Sequence, residues 1–158
     1  MRSCIPFLFM LVICASCQSH KSNAVSLPWP AVTDSVVVSQ LAGNWLATPA
    51  TNNLLDKKQY KKDSIYLELR ADSSFRARLP DCLDAAVKGN VSWDAIGTWK
   101  LFNDAGNWKL GMSFVAGQLF RYRTFTTFDL VLIDSQLTIS RFVGDPDKKE
   151  ALQFTQSK

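Results

Sequence analysis

Apolar and polar residues alternate along most of the chain with a period of two. SIYLELR (64–70) sets Ile65, Leu67 and Leu69 against Tyr66, Glu68 and Arg70, and FRARL (75–79) repeats the pattern after the turn residues Ala71 to Ser74. Two such runs around a short polar turn predict a hairpin, with Pro80 ending its second strand. A loop from Asp81 to about Asp94 follows. IGTWKLF, WKLGMSF, LFRYRTF, FDLVLI and LTISRFV then read as strands, separated by Asn103-Asp104-Ala105-Gly106, by Ala116-Gly117 and by Asp134-Ser135. GDPDKKE turns the chain and ALQFT closes it. The first convincing strand lies in LAGNWLA (41–47); before it, Asp34-Ser35 followed by Val36 to Val38 suits either the cap of a short helix or the start of a strand, and the β-branched run leans towards strand. The polar stretch ending in LLDKKQYKKD carries no strand pattern, and no long helix is predicted. Eight or nine short strands with hairpin-sized connections predict an all-β domain, a single antiparallel up-and-down β-barrel whose closure removes its edges.

The N-terminus has a different character. MRSCIPFLFMLVICASCQSHKSN places Arg2 before an apolar segment, Ile5 to Ile13, that is too short to span a bilayer. Cys14-Ala15-Ser16-Cys17 resembles the lipobox of bacterial lipoproteins, apart from Cys14 where leucine is usual. The resemblance implies cleavage before Cys17 and acylation of that cysteine, with palmitate or a similar chain, which anchors the protein firmly. Gln18 in the second mature position is similar to lipoproteins passed on to the outer membrane. The expected organisation is a signal peptide over 1–16, a lipidated cysteine and tether over 17–33, and a barrel domain over 34–158. The expected location is the cell envelope, lipid-anchored at the outer membrane and facing the periplasm.

Charge and cysteine count sharpen this picture. The sequence has 18 basic and 14 acidic residues, and loss of Arg2 leaves a net charge of +3. That balance gives no concentrated basic stripe and argues against nucleic acid as partner. Cys4 and Cys14 leave with the signal and Cys17 carries lipid, so Cys82 is the lone thiol of the domain. No disulfide is open to it despite an oxidising compartment.

Gly43-Asn44-Trp45 on the first strand resembles the G-x-W of lipocalins and bacterial lipocalin-like domains. In that family the tryptophan plugs the closed end of the barrel under a basic residue from a late strand. The resemblance implies a barrel-closure set of Gly43, Trp45 and Arg141, the last in LTISRFV. The order of LAGNW, LELRADSSFRARLP, GTWKL and the closing FVGDPD is also similar to a broad set of secreted bacterial lipoproteins.

Catalytic chemistry is thin. His20 is the single histidine and precedes the domain, so triads, Cys–His pairs and histidine-based zinc sites are not available. Glu68 and Glu150 are the only glutamates, and Glu68 falls on the polar face of its strand. Asp145-Pro146-Asp147 is short of calcium ligands and suits a turn better. No enzyme, cofactor or metal is expected.

Two groups of basic residues remain as binding candidates. Lys57, Lys58, Lys61 and Lys62 fall between the first two strands and read first as a solvated loop, with contact to a membrane surface or to an anionic ligand at the mouth as the functional alternatives. Arg76 with Arg78, and Arg121 with Arg123, each share a strand face. If that face were the lumen, the four would make a pocket for an anionic head group, otherwise they stand in water. The sequence therefore supports two activities. A hollow barrel would hold a small apolar or anionic amphipathic ligand; a solid one, filled by inward aromatics, would act as a protein-binding inhibitor or immunity-type lipoprotein through its loops.

Overall fold

The computed structural model describes residues 29–33, 36, 38–61, 64–83, 89–117, 119–143 and 146–157. Eight strands close into an antiparallel up-and-down barrel in sequence order: β1 (Gly43–Ala47), β2 (Tyr66–Leu69), β3 (Ser74–Pro80), β4 (Ser92–Asp104), β5 (Asn107–Phe114), β6 (Thr124–Ile133), β7 (Gln136–Phe142) and β8 (Ala151–Gln156). The last seam pairs Trp45 with Gln156 and Ala47 with Phe154. This is the architecture the alternation predicts, and it is consistent with a lipocalin-like barrel.

One expected strand is corrected, and two short helices are added. LFRYRTF is not a strand: β6 begins only at Thr124, and Leu119 and Phe120, neighbours in sequence, are both buried. A strand would send them to opposite faces, whereas a loop can turn both inward. Val38 belongs to a one-turn helix, α1 (Val38–Leu41), rather than to a strand. The polar stretch after β1 contains a second helix, α2 (Pro49–Lys57). Thr48 caps it, accepting from the Thr51 amide at 3.3 Å, and Pro49 takes a first-turn position where a missing N–H costs nothing.

α2 lies against β8, where β1 has run out. Beyond Ala47 the backbone of Gln153 would face no strand. Instead its carbonyl accepts from the Thr48 amide at 2.9 Å and from Thr51 Oγ1 at 2.9 Å, and its amide donates to Thr51 Oγ1 at 2.7 Å. One buried hydroxyl thus completes the ladder that β1 leaves open.

Residues 29–32 are part of the fold, not of a tether. Ala31 bridges to Val131 of β6, with Val32 N donating to Leu130 O and Leu132 N to Pro30 O, both at 2.9 Å. Trp108 N donates to Val32 O at 3.0 Å, so this strap fills the gap where β5 has stopped pairing with β6. Trp29 stacks on Phe142 at 6.1 Å. The segment expected to be a signal peptide, the expected lipidation site Cys17, His20 and the rest of the expected tether up to residue 28 lie outside the described residues, as do Lys62 and Asp145.

Candidate functional site

The interior decides what kind of site is available. Register places Trp45, Phe75, Trp99, Phe114, Phe128 and Phe154 on the inward face, with leucines and Met112 between them. None of these six aromatics is more than 3% exposed, so they pack closely against one another and their neighbours. Phe75 meets Phe114 edge-on and Phe114 meets Phe120 at a tilt, with centroids 5.1 and 4.7 Å apart, a run of rings towards the end of the barrel where α2 lies. At that end every connection contributes buried apolar side chains: Leu55 and Tyr60, Leu83, Leu119 and Phe120, and Val143. The barrel is filled and capped.

The opposite end is closed by the G-x-W segment. Gly43 has φ of +142°, and a Cβ there would meet Gln156 Nε2 at 2.8 Å, so only glycine suits the entry to β1. Trp45 is fully buried and donates its Nε1–H to the Leu41 carbonyl at 2.8 Å, tying α1 across the base. Arg141 is not its partner. It sits opposite Leu152 on β8, whereas Trp45 sits opposite Gln156, four residues and roughly 13 Å further along the strand. Arg141 points inward at the α2 end, lies over Phe128 at 5.9 Å, and donates to Thr127 O at 2.6 Å. Burial pulls its guanidinium below the ordinary value, against the opposing charge of Asp129.

The four arginines proposed for a pocket do not meet in the lumen. Phe75, Ala77 and Leu79 take the inward positions of β3, leaving Arg76 and Arg78 outside, where Arg78 pairs with Asp94 at 3.3 Å. Arg121 and Arg123 are exposed in the connection before β6. The lysines are also dispersed. Lys58 is held by Glu150 at 2.7 Å. Lys61 lines a cleft of about 490 Å³ with Asn52, Asp56 and Ser64, while Lys57 lines another of about 350 Å³ with Trp29, Lys148 and Lys149. Glu68 stands outside, paired with Arg70 at 2.8 Å.

A clamp at the capped end was not visible in the sequence. Asp81, 1% exposed, accepts from the Tyr60 hydroxyl and from the amides of Gly89 at 2.9 Å and Val91 at 3.4 Å. Burial and the Asp81 bond hold the Tyr60 phenol well above its ordinary value. Cys82 beside them is raised as well, chiefly by burial, which leaves it a thiol rather than a nucleophilic thiolate. The cluster fastens the α2–β2 segment to the β3–β4 connection. Among the described residues, no three His, Cys, Asp or Glu side chains form a metal-binding group.

Sequence alternation also missed a set of large apolar residues on the water side of the sheet. Ile96, Val115 and Phe125 are 57, 52 and 51% exposed, and Tyr122 is 70% exposed. No protein-family model, curated protein or solved structure matches the chain.

Proposed function

We propose that this protein is a lipid-anchored lipoprotein of the cell envelope, without catalytic activity, that engages another envelope component through the outer surface of its barrel. The filled lumen carries this reading. An eight-stranded barrel can hold either side chains or one small ligand, and here six aromatic side chains turn inward and are buried. The anchor rests on the resemblance of Cys14 to Cys17 to a lipobox.

A carrier of a small amphipathic ligand is the second reading, and one observation favours it. The inward Trp93 has its Nε1 buried without a hydrogen-bond partner, and Arg141 also points inward at the capped end. A ligand head group could satisfy both if Leu119 and Phe120 swung out.

Titration of the chain from Gln18 onward with a fluorescent fatty acid separates the two. Surface action predicts no saturable one-to-one uptake. Stoichiometric uptake that is lost on Arg141→Ala would overturn it in favour of the carrier.

A further inference from the structure

Four of the exposed large apolar residues, Ile96, Val115, Tyr122 and Phe125, are neighbours, while Val38, Leu46 and Leu132 lie elsewhere. Val115 N donates to Ile96 O at 3.1 Å, Ser113 faces both Thr98 and Phe125 across its two seams, and Tyr122 precedes β6 at the same end. They form one ledge on the outer face of β4, β5 and β6. Its centre is built around Gly111. A Cβ at that position would stand 2.7 Å from Phe125 Cζ and 3.1 Å from Phe102 Cε1, so the missing side chain lets two phenyl rings lie down on the sheet. Lys100 hangs over both rings, 5.9 Å from Phe102 and 5.5 Å from Phe125. Arg121 lies over Tyr122 at 5.6 Å, and Arg123 is exposed beside it.

The charges around the ledge are mostly basic. Lys100, Arg121 and Arg123 form no ion pair with any described carboxylate. The nearby acids are engaged at its margins, Asp94 by Arg78 and Asp104 by Lys109. Beside Ile96 and Val115, Arg76 and Thr98 line a recess of about 320 Å³. Aromatic rings and aliphatic side chains ringed by unpaired cations match the interface of an anionic bilayer, where rings sit at head-group depth and cations meet phosphate. A second copy of the chain fits poorly, because like cations would face one another. A protein anchor is usually received in a pocket, and the aromatic centre of the ledge, Phe102 and Phe125, does not line the recess.

We infer that the β4–β6 ledge, with the Arg121–Arg123 tip, is a docking surface for anionic phospholipid. This rests on the surface-binding reading and names the surface and its partner. The lipid on Cys17 then fixes the protein to the membrane, and the ledge fixes its orientation.

The test is co-sedimentation of the chain from Gln18 onward, which keeps every described element but no acyl group. Vesicles of phosphatidylethanolamine with phosphatidylglycerol are compared with vesicles of phosphatidylcholine alone. Binding to the first only, falling as salt rises, is expected. Arg121→Glu with Arg123→Glu should weaken it about tenfold or more, as should Ile96→Ser with Phe125→Ser, with urea midpoints confirming that both variants fold. Lys57→Glu with Lys149→Glu, near Trp29, should leave it unchanged. Equal binding to both vesicle types, no binding to either, or loss only in the Lys57/Lys149 variant would each overturn the inference. Absence of vesicle binding together with absence of fatty-acid uptake sinks the ledge but not the surface reading, whereas uptake sinks that reading itself.

Discussion

Thr51→Val is the substitution whose cost the structure specifies best. It keeps the shape of a fully buried side chain and deletes one hydroxyl. The Gln153 carbonyl retains the Thr48 amide at 2.9 Å, but the Gln153 amide loses its acceptor at 2.7 Å and has no strand to turn to. Stranding one buried backbone donor costs about 2 kcal/mol, within a usual range of about 1–3. For a chain of this size that lowers Tm by roughly 6–8 °C. Thr51→Ser keeps the hydroxyl and loses one methyl, so it should cost about 1 kcal/mol or less. Urea unfolding of both variants, with amide exchange at Gln153, reads the difference directly. If Thr51→Val proves as stable as Thr51→Ser, the hydroxyl does not complete the ladder and the account of the β1–β8 seam fails.

Trp45→Phe removes the donor to Leu41 O from a fully buried site and should cost about 1–3 kcal/mol by urea unfolding; an unchanged midpoint would mean that the indole does not hold α1. Asp129 gives a pH signature. Burial raises its carboxyl above the ordinary aspartate value despite Lys109 and Arg141, so the folded chain binds this proton more readily than the unfolded one. Stability through this group is therefore lowest at neutral pH and rises as pH falls through the raised folded value, the gain being complete below the ordinary one. Asp129→Asn should match or exceed the parent at neutral pH, with its advantage shrinking on acidification; a loss of about 1 kcal/mol or more at neutral pH would show instead that the Lys109 contact at 3.9 Å dominates. In a bacterial host, Cys17→Ser should abolish labelling of the protein with radioactive palmitate, and undiminished labelling would remove the anchor from the proposal.

The strands were legible where one face is apolar and the other more exposed, as in β2 and β3. What failed were positions governed by contacts distant in sequence. Arg121-Tyr122-Arg123 mimics alternation by chance, while Phe120 packs on the Phe114 ring and Leu119 beside it is buried too. α1 depends on the Trp45 indole more than on its own sequence, in which Val38 disfavours helix. α2 did announce itself through Thr48 and Pro49, a cap and a first-turn proline, but Asn52 and Asn53 are weak helix formers and obscured the signal. Alternation assigns two faces without saying which is inward, so the filled lumen, the outward Arg76 and Arg78, and the Phe125 ledge had to come from register. Arg141 is the converse case. Its place on a late strand suggested a partner for Trp45, and only the pairing with Leu152 shows it to be at the other end.

The seam between β1 and β8 governs how the molecule comes into being. It joins the first strand to the last; Gln156 Nε2 reaches the Ala42 carbonyl, 114 positions away in sequence, at 3.1 Å. A nascent chain emerging from its N-terminus must therefore wait for its final strand before the circle closes. Until then β1 and β7 both present bare edges, able to pair with another molecule. A chain truncated before Ala151 would not be a slightly smaller barrel. It would be an open sheet with two adhesive borders, which makes the last six-residue strand a checkpoint on completeness of synthesis.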